Sequence, residues 1–62
     1  MLTYQVINLD STFGSLIAKD KTLKEAIALA ISDSLDVADP VEIQTCYGAT
    51  IGFAIGGIFS LI

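Results

Sequence analysis

The chain has 62 residues and a mass of 6.5 kDa, which allows one small domain and leaves little core to shape a cofactor pocket. It has no histidine, no tryptophan and one cysteine, so a histidine base, a histidine metal site, an internal disulfide and a Cys-cluster zinc site are excluded by count. Seven acidic residues against three lysines give a net charge of −4, which argues against binding to nucleic acid phosphates.

The N-terminal part has the pattern of a β-hairpin. Leu2 to Leu9 is rich in β-branched and aromatic residues, and its first part alternates apolar and polar side chains as a half-buried strand does. Asp10-Ser11-Thr12 follows and is typical of a turn, because short polar side chains bond to their own backbone. Phe13 to Ala18 is predicted to be the second, shorter strand.

The next segment predicts an amphipathic helix. Thr22-Leu23-Lys24-Glu25 has the spacing of a capping box, in which the Thr22 hydroxyl and the Glu25 carboxylate each bond to the other residue's amide. Apolar residues then recur at helical spacing until about Leu35 and predict one face that packs on a sheet. That face consists of Leu23, Ala26, Ile27, Ala30 and Ile31.

The C-terminal third predicts a second hairpin. Val41 to Tyr47 and Ala49 to Ile55 both alternate, and Gly48 between them is free to take a positive φ. Gly56-Gly57 is interpreted as a break before an apolar tail. The expected fold is therefore α+β, a single ββαββ domain whose antiparallel sheet of two hairpins (residues 1–55) carries one helix on one face, followed by the tail 56–62.

These segments resemble a pattern found in small, mostly uncharacterised bacterial and phage proteins. The resemblance rests on Tyr4-Gln5-Val6-Ile7-Asn8, on Thr22 to Ala30, on Pro40-Val41-Glu42-Ile43 and on the hairpin centred on Gly48. It covers residues 1–55 and implies a compact ββαββ domain without known catalytic residues. It carries no functional residue over to this chain.

Gly48, Gly52 and Gly56 allow a different interpretation of the same third. They form a GxxxGxxxG glycine zipper in a segment from Ile43 to Ile62 that has no formal charge and is long enough to span a bilayer as a helix. The alternative function is therefore a membrane-inserted or filament-forming structural subunit. No lysine or arginine flanks the segment and glycine with β-branched residues favours strands in water, so the hairpin is the preferred prediction.

The tail predicts self-association. When so short a chain folds, the free-energy cost of its lost conformational entropy is about as large as the stabilisation from its apolar burial. Contact with a second copy buries further apolar surface. An exposed apolar strand is also a template for pairing with another chain. We expect a homodimer or higher oligomer whose interface contains Phe53, Ile55, Ile58, Phe59, Leu61 and Ile62.

The acidic residues predict a second contact surface. Asp33, Asp36, Asp39 and Glu42 follow one another without an intervening cation and are expected to form a face that binds a basic protein surface. Their spacing lacks the alternation and central glycine of a calcium loop, so no metal is expected, and no cofactor either. The sequence thus predicts a small, acidic, non-catalytic interaction protein of the cytoplasm. One concrete version is a phage or mobile-element inhibitor, as anti-CRISPR proteins are.

Overall fold

The structure is a computed structural model that describes residues 2–9, 14–37 and 39–62. Within these ranges the elements follow in the order β1 (Tyr4–Asn8), β2 (Ser15–Lys21), α1 (Leu23–Val37), β3 (Val41–Thr45), β4 (Thr50–Ile55) and β5 (Ile58–Leu61). The strands form one antiparallel sheet with the order β2-β1-β3-β4-β5. The two N-terminal strands thus join the C-terminal ones through the β1–β3 pair.

The α+β class is confirmed, but the ββαββ arrangement is corrected to ββαβββ in the described residues. The expected tail is strand β5, which pairs with β4 from Ile55↔Ile58 to Gly52↔Leu61. The interpretation of Gly56-Gly57 as a break was wrong, because the two glycines form the turn between the paired strands β4 and β5. Both adopt positive φ, 58° and 85°. Two positive φ values in a row make the two-residue turn that best fits the twist of a hairpin.

Strand β2 departs from its predicted bounds. It continues past Ala18 to Lys21, and its pairing with β1 has two register shifts. Asp20 lies within this strand at a φ of 58°, a left-handed conformation that aspartate tolerates better than most residues. The predicted turn Asp10-Ser11-Thr12 and the predicted strand start at Phe13 lie outside the described residues.

The glycine zipper is not on a helix. Gly48 and Gly56 lie in turns with positive φ, whereas Gly52 lies within β4. A Cβ on Gly52 would come within 2.5 Å of the Ser60 carbonyl oxygen and 2.7 Å of Phe59 Cζ, so this glycine allows a close approach of β5. The helical interpretation of Ile43 to Ile62 is therefore wrong for the described structure. No helix among the described residues combines the length and the apolar character needed to cross a bilayer.

Helix α1 packs closely on one face of the sheet. Ala26, Ala30 and Ser34, spaced four residues apart, are fully buried, so the helix contacts the sheet through small side chains. The buried face therefore extends to Ser34, while Leu23 at the other end of the predicted apolar face is 38% exposed. The remaining buried apolar side chains, on the strands, are Val6, Val41, Ile43 and Ala54.

The start of α1 has the predicted capping box. The Thr22 N–H donates to Glu25 Oε1 at 3.0 Å, and the Glu25 N–H donates to Thr22 Oγ1 at 3.2 Å. The hydrogen bonds from the Thr22 backbone and hydroxyl, with a smaller effect of Lys21, hold the pKa of Glu25 below its ordinary value of 4.5. The carboxylate form of Glu25 therefore stabilises the folded chain.

This capping box predicts a specific loss of stability in acid. Because the pKa of Glu25 is lower in the folded than in the unfolded chain, its contribution is present above the ordinary value of 4.5 and is lost as the pH falls through the folded pKa. Glu25→Gln keeps a side-chain acceptor but does not titrate. We expect the urea midpoints of the original protein and of the Glu25→Gln variant to differ at neutral pH and to converge in acid. A difference that is constant with pH would contradict this assignment.

The close approach at Gly52 predicts a local effect of substitution. Gly52→Ala should cost about 1–3 kcal/mol, as overpacking does, because the Ser60 carbonyl belongs to the backbone and cannot move aside cheaply. Amide hydrogen exchange of Ser60 and Ile62 should become faster. Gly48→Ala is the control: its φ of 89° makes it strained, but no atom lies within 4 Å of the added Cβ, so β5 exchange should stay slow.

Candidate interaction surface

The described residues form no pocket and no group of three potential metal ligands. A functional site among the described residues must therefore lie on an exposed surface. Three surfaces contain the residues singled out from the sequence: the edge formed by β5, the sheet face opposite α1, and the acidic residues of α1 and the segment after it.

The backbone of β5 has a free side. Ile55 and Ile58 close a two-residue turn and therefore form a pair that exchanges both hydrogen bonds. Pairing of this kind recurs at every second residue, and the Ile62 N–H accordingly donates to the Ile51 carbonyl oxygen at 3.1 Å. The N–H and C=O groups of the intervening residues, Phe59 and Leu61, therefore point away from β4, toward the open edge.

Most apolar side chains of β5 and of Ile62, which follows it, are exposed. Ile58 is 72% exposed, Leu61 71% and Ile62 77%, whereas Phe59 packs against the core beside Gly52. We call the three exposed side chains, together with the outward backbone groups of Phe59 and Leu61, the β5 surface. It contains no charged side chain, proline or bulge, which are the features that usually protect an edge strand from pairing.

The opposite edge, β2, is protected in the usual ways. It contains Lys19, Asp20 and Lys21, and its pairing with β1 is interrupted by two register shifts. Charged side chains and irregular pairing both hinder the addition of a further strand. The two edges thus differ in their capacity to bind another chain, and β5 is the one that can be extended.

The sheet face opposite α1, called here the open face, is mixed in character. Its middle is polar: Gln5 Nε2 donates to Gln44 Oε1 at 2.8 Å, and the Thr50 hydroxyl donates to Glu42 Oε2. Phe53 on β4 lies beside this polar strip, half-buried. The apolar residues at the two sides of the strip are Ile7 and Leu16 on β1 and β2, and Phe53, Ile55 and Ile58 on β4 and β5.

The predicted oligomer interface is thus divided between surfaces. Ile58, Leu61 and Ile62 belong to the β5 surface, and Phe53 and Ile55 belong to the open face next to it. Phe59 packs its half-buried ring against the core, and its outward backbone groups belong to the edge. The exposed Leu16 on β2 was not singled out from the sequence, because its place on the open face depends on register shifts that no local pattern shows.

The four acidic residues do not lie on one face. Asp33 and Asp36 are on α1, and Asp33 Oδ2 accepts a hydrogen bond of 2.8 Å from Asn8 Nδ2 on β1. Glu42 lies on the open face, so the sheet separates it from the helix. Asp39 lies in the segment before β3, and Asp36 is exposed. Binding of a basic protein by these carboxylates stays a prediction.

One contact that positions β5 was not predicted. Ser34 is fully buried, its hydroxyl donates to the Ile31 carbonyl oxygen at 3.0 Å, and its Oγ accepts from the Gly57 N–H at 2.9 Å. The end of α1 thereby holds the turn between β4 and β5. The signal available in the sequence was the four-residue spacing from Ala26 and Ala30, which places a small polar residue on the buried face.

Cys46 is exposed in the turn after β3. Asn8 is buried to 7% exposure, and its Oδ1 has no hydrogen-bond partner among the described residues.

Comparison of the chain with protein-family models, curated proteins and solved structures finds no match.

The Ser34 contact predicts a measurable loss of stability. Ser34→Ala leaves the half-buried Gly57 N–H without its acceptor, and the loss of a typical hydrogen bond costs about 0.5–1.5 kcal/mol. Ser32→Ala is a matched control, since Ser32 is exposed on the same helix and surface changes stay within about 0.5 kcal/mol. Urea denaturation of both variants measures the difference. Equal stabilities would show that this hydrogen bond does not hold the turn.

Proposed function

We propose that the chain is a non-catalytic protein-interaction domain that self-associates through the β5 surface. The observation that supports this most is the coincidence of exposed apolar side chains with unpaired backbone groups on one uncharged edge strand. A domain of about 60 residues buries only about 60% of its unfolded surface, so additional burial against another chain is of direct benefit to its stability.

The β5 surface offers burial of a useful size. Complete burial of an exposed aliphatic side chain stabilises an assembly by about 1.5–3 kcal/mol, which is the upper bound for Ile58 or Leu61, and a symmetric contact covers each one in both copies. Association itself costs about 4–15 kcal/mol in lost freedom of motion. Three such side chains from each copy provide stabilisation of the same order, which favours an assembly of moderate affinity.

The open face is a less suitable interface for self-association. Stacking two open faces would bury Glu42, a carboxylate that has a hydroxyl partner in Thr50 but no cation beside it among the described side chains. Burying a charge without an opposite charge costs several kcal/mol. Edge pairing through β5 leaves Glu42 in water, and the geometry therefore supports the edge over the face.

This proposal predicts that a charge on β5 disrupts the assembly. Leu61→Lys places an ammonium group on the edge and removes apolar burial, at a cost of about 2 kcal/mol in each copy, or about a thousandfold in the dimer dissociation constant. We expect light scattering after size-exclusion chromatography to give a mass of two or more chains for the original protein and of one chain for the variant.

Leu16→Lys is the matched control. Leu16 is also an exposed leucine on an edge strand, but it lies on β2 and on the open face. Its substitution should leave the mass unchanged. If the unsubstituted chain is monomeric at all concentrations, the proposed self-association is overturned. Loss of mass with Leu16→Lys alone would move the interface to the open face.

A further inference from the structure

We propose that the β5 surface binds β5 of a second copy, antiparallel, about a two-fold axis that passes between the two Ser60 residues. This inference rests on the proposed self-association and adds to it the partner segment and the register. The resulting dimer has one continuous sheet, with the two β5 strands as neighbours at its centre.

The positions of the free backbone groups determine the register. Phe59 and Leu61 each direct one N–H and one C=O outward, whereas Ile58, Ser60 and Ile62 direct theirs to β4. In an antiparallel pair, two opposite residues exchange both hydrogen bonds when both point toward each other. Phe59 must therefore lie opposite Leu61 of the second copy, and Leu61 opposite its Phe59.

Neighbouring registers use fewer of these groups. Placing Phe59 opposite Phe59 of the second copy leaves Leu61 opposite the turn residue Gly57, and placing Leu61 opposite Leu61 moves Phe59 out of the range of β5. Each of these shifts leaves outward donors and acceptors of β5 without a strand partner. The register centred on Ser60 pairs all of them, which is what a buried edge requires.

The same register brings apolar side chains together on both faces. On the helix side of the sheet, Phe59 faces Leu61 of the second copy. On the open face, Ile58 faces Ile62 of the second copy, with the two small Ser60 side chains between these pairs. Cross-strand apolar pairs of this kind stabilise a sheet, and no like charges meet across this junction.

Pairing of β5 with the β2 edge of another copy is disfavoured. The charged side chains and register shifts of β2 hinder strand addition, and a head-to-tail contact of this kind would continue without closing. A two-fold contact between identical edges closes at two copies. It also covers the β5 edge completely while leaving the protected β2 edges outside.

The dimer would also extend the apolar part of the open face. Phe53 and Ile55 lie next to Ser60 and Ile58 in the β4–β5 register, so the two-fold axis places them in one band with their counterparts. Ile58 and Ile62 of each copy lie in this band on either side of the two Ser60 side chains. The predicted interface residues outside the β5 surface thus belong to the same continuous surface in the dimer.

Disulfide cross-linking tests the register. In a Cys46→Ser background, Ser60→Cys places two thiols at a non-hydrogen-bonded pair with a Cα separation of about 4.5 Å, within the range of about 4.4–6.8 Å that a disulfide needs. Ile58→Cys is the matched control on the same strand. The two Ile58 residues would be four positions apart, or about 13 Å, which no disulfide spans.

The expected result is a covalent dimer from Ser60→Cys and little covalent dimer from Ile58→Cys. Oxidised glutathione is the oxidant, and it accepts the two electrons and two protons that each thiol pair releases. At a protein concentration of about 10 µM the rate ratio should be roughly a hundredfold, because thiols held in contact have an effective concentration of about 1 mM. A mixture of Ile58→Cys and Ile62→Cys should cross-link between the two variants. Circular dichroism confirms that each variant is folded.

The outcomes separate the two proposals. A native mass of two chains with equal linking rates for the two single variants, or faster linking of Ile58→Cys, would overturn the Ser60 register while leaving self-association in place. A monomeric mass at all concentrations with slow linking throughout would overturn both. A native dimer in which Ser60→Cys links selectively supports the register.

Discussion

The close contact between α1 and the sheet is the interaction on which the rest of this structure depends. Ala26, Ala30 and Ser34 bring the helix near the strands, so that a few buried strand residues such as Val6 and Ile43 suffice to form a core. Larger side chains at these positions would lift the helix and leave voids that so short a chain cannot fill. The same contact places Ser34 within reach of Gly57, which connects the helix to the C-terminal hairpin.

Much of the fold could be predicted because its signals are local. The capping box at Thr22 and Glu25 and the alternation in β1 and β3 depend on neighbouring residues, and the structure confirms them. In β4 the buried residues are instead the small Gly52 and Ala54, and Phe53 and Ile55 lie on the open face. Gly56-Gly57 shows how a local signal can still be misjudged. Two glycines suit a tight turn as well as a break, and the choice depended on whether Ile58 to Leu61 could find a partner in β4.

The remaining features depend on distant parts of the chain. The position of Glu42 on the face opposite α1 follows from the register of β3 with β1 and β4, so the sequence could not show that the acidic residues are separated. The burial of Ser34 depends on how α1 is rotated against the sheet. The outward groups of Phe59 and Leu61 became apparent only once the β4–β5 register was known.

The strand order has a consequence for how the chain reaches its fold. In the described sheet, β1–β2, β3–β4 and β4–β5 join strands that are consecutive in sequence, whereas β1–β3 joins strands on either side of α1. Consecutive strands can pair early, because only a short loop must be closed. The β1–β3 pair joins segments separated by β2 and α1, so docking of the N-terminal hairpin onto the C-terminal strands would limit the folding rate. Until then the C-terminal strands β3 to β5 would have two free edges, and the later arrival of β1 would close one of them.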